Sequence, residues 1–396
     1  MEYPMGQKKG KVPPHIQPKL FLHPGADSSW VFALNQVEDP RQLSCNTRHS
    51  VTTILFIVFT TVLCGAKNWE EMYYLAEGED FGKWLGRYVD LTEGIPSKWT
   101  LERVTSLIPT EQLQPLFTQF REHAKKIGTI AIDGKTLCGS KRWGKNNPLH
   151  LLHAWSVEEG VCLAQVPVDE KSNEITAFPT LIAQLELKGA VVTADAAHTQ
   201  KASVKAVVNK KADYVLPVKE NQPGLLEGIK LLFTEADAVQ FKGIDAAHTE
   251  TLEKIGGRVE SRRYELLDAE GLPGISEWVG CRCVGRVTRK RAKADKASEE
   301  TTYYITSLDF DVEQFGKSAR GHWGVENGLH WALDVIFRED KHRYQARVGV
   351  ANLSLIRKIA LGVLTRDTTV KKGRATKQMK AVASATYRDH LLKNCI

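Results

Sequence analysis

Two aspartates, each at the end of a short apolar segment, could supply oxygen ligands to a divalent cation. Asp133 ends the segment GTIAID (128–133), and Asp195 ends GAVVTAD (189–195). Short apolar segments of this kind predict β-strands, and α/β sheets bind ligands at the carboxyl ends of their strands. If the two strands are parallel neighbours, the carboxylates meet and suit a hard ion such as Mg²⁺. Taken alone, either aspartate is more simply explained as a turn former or a helix cap.

A third acid, Glu326, lies in the predicted helix of residues 319–340, ARGHWGVENGLHWALDVIFRED. At about 100° per residue, His322, Glu326 and His330 share one arc beside an apolar stripe. A charge next to a buried face is costly unless it binds a metal or a cation. One alternative is a surface glutamate paired with Arg320 or a histidine. A zinc site of His322, Glu326 and His330 is another, but it lacks the catalytic glutamate of HExxH and leaves both aspartates unexplained.

Composition restricts the class of protein that carries these acids. A chain of 396 residues allows two to four domains, and 42 % hydrophobic with 26 % charged residues is typical of folded proteins. Seven scattered cysteines predict a reducing compartment, and no signal-peptide pattern is evident, so a cytoplasmic location is expected. The longest apolar run, residues 51–64, is too short to cross a bilayer and predicts a buried core helix.

The elements that must position the acids follow from changes of periodicity. We expect an irregular extension over 1–40 and a helical N-terminal domain over 41–127. Strands and helices then alternate in the order β-β-β-α-β-α-β, which predicts a mixed α/β layer over 128–235. A β-rich insertion spans 236–308. The core resumes over 309–365 with a helix from about Asp311 to Asp340, and a basic tail covers 366–396.

Two basic segments stand out against a net charge of only +7. Residues 286–296 contain six basic residues and one acid, and residues 366–393 contain eight basic residues and two acids. A modest positive excess permits a polyanionic partner without requiring one. For the first segment, a solvated hairpin tip and a DNA contact are both open.

Four motifs in this order carry a family resemblance: IAIDGKTLCGS, VTADAAHTQ, ADYVLPVKENQ and RGHWGVENGLHWALDVIFRED. From about Arg41 to the C-terminus, the chain resembles insertion-sequence transposases of the DDE superfamily and is close to the H-repeat-associated (ISAs) type. The resemblance implies an α/β fold with an RNase H-like mixed-sheet core, and an acidic triad at Asp133, Asp195 and Glu326. In the wider group an arginine stands at the place of His322, so the chain departs from the pattern there.

The function implied by the resemblance is cleavage of DNA at the ends of the element, followed by strand transfer. The triad would bind two Mg²⁺ (or Mn²⁺) ions, with Asp133 bridging both. The expected partner is double-stranded DNA with terminal inverted repeats, bound by a homodimer that is associated with the bacterial nucleoid, and no membrane is involved. Expected contacts near the scissile phosphate are Lys135, Lys219, Asn221, Gln222, Arg320, His322 and His330.

Several alternatives remain open at this point. The chain could be a DNA-binding or regulatory relic without catalysis, or an RNase H-like nuclease without strand transfer. Trp278 could stack a flipped base, although a core position explains a tryptophan more simply. Cys281 and Cys283 fit the small apolar side of a strand better than a zinc site, because structural zinc sites need wider spacing and a second ligand pair.

Overall fold

The computed structural model of the chain describes residues 33–44, 46–122, 128–141, 147–168, 173–255, 258–293 and 296–394. Most of the predicted extension at 1–40 and two residues of the basic run at 286–296 lie outside this part. The chain forms two compact units. The helical unit comprises Met1–Ala124, Thr136–Leu149 and Trp331–Ile396, and the sheet unit comprises Lys125–Lys135 and His150–His330.

The described residues form the following helices and strands. The strands are β1 (Thr129–Leu137), β2 (Leu149–Ser156), β3 (Val161–Val168), β4 (Val191–Ala194), β5 (Asp213–Val218), β6 (Ala246–Ile255), β7 (Arg258–Asp268), β8 (Cys283–Lys293) and β9 (Lys296–Thr306). The helices are α1 (Val51–Leu63), α2 (Trp69–Glu77), α3 (Glu79–Leu85), α4 (Lys98–Leu107), α5 (Thr110–Glu122), α6 (Glu174–Ala183), α7 (Lys201–Asn209), α8 (Pro223–Ala238), α9 (Val312–Gly321), α10 (Trp323–Val325), α11 (Trp331–Val335), α12 (Arg347–Arg366), α13 (Arg374–Ala383) and α14 (Ala385–Asn394).

The core of the helical unit is built around α1 and α12. Every residue of α1 is buried, and the Ser50 side chain caps its N-terminus by accepting a hydrogen bond from the backbone N–H of Thr53. The prediction of a buried core helix at 51–64 is therefore confirmed. Helix α12 is long and apolar enough to span a membrane by length and composition, but 89 % of its most apolar window is buried inside the protein. The Asn352 amide of α12 donates to the carbonyls of Thr105 and Ile108, both at 2.8 Å, which joins it to the end of α4.

The sheet unit contains a mixed sheet with the strand order β3-β2-β1-β4-β5-β9-β8-β7-β6. Strands β1, β4 and β5 are parallel to one another, and β2 and β3 form an antiparallel hairpin. The α/β fold with a mixed-sheet core is confirmed. Helix α6 packs on β3 and α7, and α9 packs on β4 and β5, so helices cover the central strands.

The β-rich insertion continues this sheet. Strand β9 returns antiparallel to β5, with Val215 opposite Thr306, and β8, β7 and β6 follow in antiparallel order. Strand β6 was not predicted from the sequence, because its alternation of charged and small residues has no apolar face. The side chain of Trp278 is buried, 4 % exposed, so this residue occupies the core position that the sequence offered as its simpler explanation.

The helix that carries Glu326 differs from its prediction. It begins at Val312 after the Asp311 cap, breaks at His322, passes through a π-helical turn at Glu326–His330 and ends at Val335. The sequence predicted one regular helix to about Asp340. Glycines at 321, 324 and 328 are the physical reason, because glycine is a poor helix former and three within eight residues weaken regular α-helical hydrogen bonding. Single π-helical turns occur frequently at functional sites.

Candidate active site

Asp133 and Asp195 lie on neighbouring parallel strands. Strands β1 and β4 pair in register as far as Ile132 and Ala194, so the two aspartates are the next residues along each strand. The sequence predicted that Asp133 ends its strand, but β1 continues to Leu137 beyond the end of β4. The correction leaves the main geometry unchanged, because the carboxylates still lie at the same edge of the central sheet.

Both aspartates accept hydrogen bonds from nearby backbone. The N–H of Gly134 donates to Asp133 Oδ1 at 2.9 Å, and the N–H of Ala197 donates to Asp195 Oδ1 at 3.1 Å. Asp195 thus caps the short helical turn Ala196–His198, which is the structural role that the sequence offered as an alternative to ligand binding. This capping bond engages one carboxylate oxygen, so it is compatible with a second role for the other.

Glu326 is held over the two aspartate-bearing strands by the helix that precedes it. The Ser318 hydroxyl of α9 lies 3.1 Å from the Thr129 hydroxyl of β1. One turn later, His322 Nδ1 lies 3.3 Å from the Thr193 hydroxyl of β4. Because these contacts fix the end of α9 on β1 and β4, the exposed Glu326 follows at the edge where the aspartates lie.

The pKa of Asp133 is raised by burial and by three other carboxylates. Burial, together with the carboxylates of Asp195, Glu174 and Glu326, raises the pKa of Asp133 to about 7, against the opposing effect of the Gly134 N–H. Like charges this close disfavour the ionised form of a carboxyl group. Asp133 is therefore the centre of a group of four carboxylates, of which the sequence had identified three.

The fourth carboxylate, Glu174, belongs to a hydrogen-bonded group that sequence reasoning missed. His150 Nε2 lies 2.5 Å from Glu174 Oε1, and His198 Nε2 lies 3.1 Å from Glu174 Oε2. Hydrogen bonds from His150 and His198 lower the pKa of Glu174 to about 2, so it is an ionised acceptor and both imidazoles donate to it. His198 Nε2 is also 3.9 Å from Asp195 Oδ1.

A close approach at Gly134 explains how Glu174 reaches the site. A Cβ atom at this position would overlap both the Glu174 carboxylate and the His150 ring. Any larger residue would push Glu174 away from β1 and from Asp133. The sequence signal that could have identified this group was the position of Glu174 at the start of a predicted helix, but nothing local indicated its histidine partners.

Two of the predicted DNA-contacting residues lie beside the acids. His330 Nδ1 is 3.6 Å from Asp133 Oδ2, and its ring packs edge-on against His153 with 5.7 Å between centroids. Lys219 is exposed at the end of β5 and lines the same cavity as Asp195 and Glu326. Contact of either residue with a reacting phosphate stays a prediction.

Two other predicted contacts have structural partners, and a third is buried. The Asn221 amide donates to the carbonyl of Ala196 at 2.7 Å, and the Gln222 amide donates to the carbonyl of Thr199 at 3.0 Å. These bonds fasten the loop after β5 to the loop after Asp195. The side chain of Lys135 is buried, 7 % exposed, so it is much less accessible to DNA than Lys219.

A cavity of about 570 Å³ opens beside Asp195 and Glu326. Its charged lining consists of those two acids, Glu300 and the cations Lys219, Arg262, Arg289 and Arg320. Arg320 does not pair with Glu326 but donates both of its Nη groups to Glu253 of β6. Burial lowers the pKa of His322 to about 4, so at neutral pH its imidazole is uncharged and offers hydrogen bonds rather than charge.

The donor atoms near Asp133 determine which metal ions could bind there. Within the described residues, no three His, Cys, Asp or Glu side chains are close enough together to hold a metal. This finding applies to the zinc alternative of His322, Glu326 and His330 and equally to the triad of Asp133, Asp195 and Glu326. The carboxylate donors around Asp133 nevertheless fit the ligand chemistry of Mg²⁺ or Mn²⁺, and a cation would offset the repulsion that raises the Asp133 pKa.

The arginines of the basic run at 286–296 form ion pairs. Arg286 donates to Asp237 at 2.7 and 2.8 Å and to the buried Glu265 at 2.7 Å. Arg289 and Arg291 both donate to Glu260 on the other face of the sheet. Strand β8 therefore carries these arginines within ion pairs on two opposite faces.

Comparisons with known proteins identify the family of the chain. The family description "Transposase DDE domain" matches residues 124–363, and "DDE_Tnp_1-associated" matches residues 31–121. "Putative transposase YncI" of Escherichia coli O157:H7 is 35 % identical, and the match covers 91 % of this chain and 94 % of that protein. "H repeat-associated putative transposase YhhI" of Escherichia coli K12 is 33 % identical over 89 % of this chain and 94 % of that protein.

One solved structure, "Cryo-EM structure of piggyBac transposase synaptic complex with hairpin DNA", matches with a TM-score of 0.41 and 11 % identity, over 94 % of this chain and 80 % of that chain. The family assignment depends on the sequence matches. The DDE description covers more than half of the chain, and the two relatives are matched almost from end to end. This chain therefore belongs to the family of insertion-sequence transposases that carry a DDE domain.

Proposed function

We propose that the chain is an active, metal-dependent transposase that cleaves DNA at the ends of its element and transfers the freed strand. The observation that carries the proposal is the parallel pairing of β1 with β4, after which Asp133 and Asp195 are the next residues along the two strands. The raised pKa of Asp133 supports it, because the carboxylates of Asp195 and Glu326 add to the effect of burial. Acids more than sixty residues apart in the sequence share one electrostatic environment. In a member of this family, such a group is best explained as the centre that binds the catalytic metal ions.

In this proposal, Asp133, Asp195 and Glu326 would hold two Mg²⁺ or Mn²⁺ ions. Bound there, the ions would supply activation of the attacking water or 3′-hydroxyl and stabilisation of the leaving oxygen in an in-line displacement. The residues of the chain orient the substrate. Lys219 and Arg320 attract the phosphates that flank the scissile bond, and the neutral His322 fixes the Glu326 segment on β4.

The proposed partner is double-stranded DNA that carries the terminal inverted repeats of the element. The N-terminal helices and the basic C-terminal region bind these ends, and a homodimer forms on them because two ends must be joined. The supporting feature is the concentration of positive charge at 366–393, with eight basic residues and two acids. Phosphate contacts supply most of the affinity of such complexes.

Cleavage of a labelled duplex that carries the terminal repeat tests the proposal. In Mg²⁺ the wild-type protein nicks the repeat end and joins the 3′-hydroxyl to target DNA, and EDTA abolishes both products. Asp133→Asn, Asp195→Asn and Glu326→Gln reduce both reactions to the EDTA background. Glu313→Gln is the matched control, because Glu313 is an exposed acid on the preceding helix, α9.

The other outcomes separate the alternatives. Cleavage that persists in Asp133→Asn would overturn the assignment of the triad. Metal-dependent cleavage without preference for the repeat and without joined product indicates an RNase H-like nuclease. Repeat-specific binding by the wild-type protein, with no cleavage in Mg²⁺ or Mn²⁺, indicates a regulatory relic.

A further inference from the structure

The sheet formed by β6, β7, β8 and β9 has two faces of different character. In a β-strand, alternate residues point to opposite faces. Glu260 and Arg262 of β7 are opposite Arg291 and Arg289 of β8, respectively. All four side chains therefore lie on one face, which we call the inner face because Arg262 and Arg289 line the cavity with Asp195 and Glu326.

A buried carboxylate organises the arginines of the inner face. The side chain of Glu260 is 2 % exposed and forms ion pairs with three guanidinium groups. Arg289 donates from Nε and Nη2 at 3.0 and 3.1 Å, Arg291 donates from Nε at 3.2 Å, and Arg262 pairs through Nη2. A carboxylate with three cationic partners fixes their positions, because leaving any of its oxygens unpaired in a buried setting is costly.

The arrangement leaves positive charge and hydrogen-bond donors on the inner face. A guanidinium has five N–H donors, and Glu260 has only two oxygens. Nη1 of Arg289 and both Nη groups of Arg291 have no acceptor among the residues that the structure describes. Including Arg320, which pairs with Glu253, the face carries four arginines against Glu253, Glu260 and Glu300.

We propose that the inner face is a preformed binding site for the phosphates of DNA next to the cleavage centre, with Glu260 as the positioning residue for Arg289 and Arg291. Planar guanidinium groups match phosphate oxygens in geometry and charge. Because Glu260 already holds the arginines in place, little side-chain entropy is lost when the backbone of the DNA binds. This inference depends on the proposed function and names the surface that presents the DNA strand to the triad.

The alternation of β8 supplies a matched control. Lys290 lies between Arg289 and Arg291 in sequence but on the opposite face, where it pairs with Glu299 at 3.4 Å and is 62 % exposed. Lys254 of β6 is an exposed cation on that same opposite face, because it is opposite Val259. The double variants Arg289→Gln/Arg291→Gln and Lys254→Gln/Lys290→Gln therefore remove equal charge from the two faces of one sheet.

Binding to duplex DNA is measured by fluorescence anisotropy in EDTA over a series of salt concentrations, with folding checked by circular dichroism. The slope of log affinity against log salt decreases by about 0.9 for each phosphate that the protein no longer neutralises. We expect a decrease of about 1–2 for Arg289→Gln/Arg291→Gln and wild-type behaviour for Lys254→Gln/Lys290→Gln. If the first variant does not fold, Arg291→Gln alone decides, because Arg289 and Arg262 still satisfy Glu260 and the expected decrease is about 0.9.

An unchanged slope in the inner-face variant, or an equal decrease in the control pair, overturns the inference. Retention of the wild-type slope by Arg289→Lys/Arg291→Lys supports recognition by charge. The proposed function is judged separately, by cleavage of repeat-bearing DNA in Mg²⁺ with the wild-type protein. If the wild-type protein cleaves DNA but the inner-face variant keeps the wild-type salt slope, only the phosphate site is contradicted. If the wild-type protein does not cleave DNA, the proposed function is contradicted, and the salt slopes still decide whether the inner face binds phosphates.

Discussion

Glu174 is the residue whose role at the site depends most on its neighbours. It accepts hydrogen bonds from His150 and His198, it adds to the negative charge around Asp133, and it reaches this position because residue 134 is glycine. Through His198, which is 3.9 Å from Asp195, it links the two strands that carry the aspartates. We therefore expect Glu174 to orient the acids without being a necessary ligand itself.

Replacement of Glu174 by glutamine tests this positioning role. The substitution removes the ionised acceptor of both histidines, so His198 no longer has a fixed position beside Asp195. Residues that orient metal ligands typically contribute about 10–100-fold to metal affinity or activity. We expect the Mg²⁺ concentration for half-maximal cleavage to rise by about that factor.

The matched control for this prediction is Glu186→Gln, since Glu186 is exposed after the end of α6. A Glu174→Gln protein that unfolds at the wild-type temperature and requires the wild-type Mg²⁺ concentration contradicts the positioning role. A lower unfolding temperature with an unchanged Mg²⁺ requirement limits Glu174 to a structural role.

At the scale of elements, the insertion strands and α9 share one core. Val191, Val215, Tyr264, Leu266, Cys283, Val287, Leu308, Phe315 and Ala319 form a buried cluster that joins β4 and β5 to β7, β8 and α9. Within it, the Phe315 ring of α9 packs directly against the backbone of Gly285 in β8. Because the same helix leads to Glu326, the insertion helps to position the third acid.

Gly285→Ala is expected to destabilise the protein by about 1–3 kcal/mol, the usual cost of overpacking a core. A Cβ at this position would overlap the Phe315 ring, so the ring or α9 must move. Without that overlap, alanine would stabilise a strand relative to glycine by about 0.5–1 kcal/mol. The free energy of unfolding in urea measures the difference.

Gly224→Ala serves as the control, because a Cβ there has no neighbour within 4 Å. We expect it to change the free energy of unfolding by no more than about 0.5 kcal/mol. If Gly285→Ala is as stable as the wild-type protein, the close contact between the Phe315 ring of α9 and Gly285 of β8 is contradicted.

At the scale of the whole chain, the helical unit contains described residues from both the N-terminal and the C-terminal parts of the sequence. The sequence predicted that residues 309–365 complete the catalytic core, and this functional domain stays a prediction. In the structure, the part of it from Trp331 onward belongs to the helical unit, because α12 packs on α1, α4 and α5. The described part of the predicted basic tail contains the helices α13 and α14.

Asp367 anchors this C-terminal region and gives its stability a dependence on pH. Burial alone would raise the pKa of Asp367, but hydrogen bonds from Thr369 and Tyr387 and the charge of Lys377 outweigh it and lower the pKa to about 2. A carboxylate with a lowered pKa in the folded state contributes stability above its unfolded value of about 3.9. That contribution is lost as the pH falls through about 2.

Asp367→Asn should therefore lower the free energy of unfolding at pH 7 by about 2 kcal/mol, with the difference from wild type shrinking between pH 4 and pH 2. Urea denaturation at pH 7 and at pH 2.5 measures both differences. Asp309→Asn is the control, because the ion pair of Asp309 with Arg282 at 3.4 Å is exposed and contributes little. If the free energies of unfolding of Asp367→Asn and the wild type differ by the same amount at the two pH values, the lowered pKa of Asp367 is contradicted.

The sequence by itself determined the elements whose signals are local. The apolar run at 51–64 predicted α1, the short apolar segments predicted β1 and β4, and four motifs identified the family. The spacing of apolar residues along a helix or a strand follows from the local backbone geometry. A pattern of a few residues is therefore sufficient to predict such an element. The three candidate acids were identified on the same local grounds.

Only the tertiary structure decided which distant residues meet. The pairing of β9 with β5, the two histidines on Glu174 and the three arginines on Glu260 join residues that are far apart in the sequence. Such contacts depend on strand register and on the space left by a glycine, and neither is encoded in a local pattern. For that reason the sequence identified the acids of the site, while the folded chain determined what surrounds them.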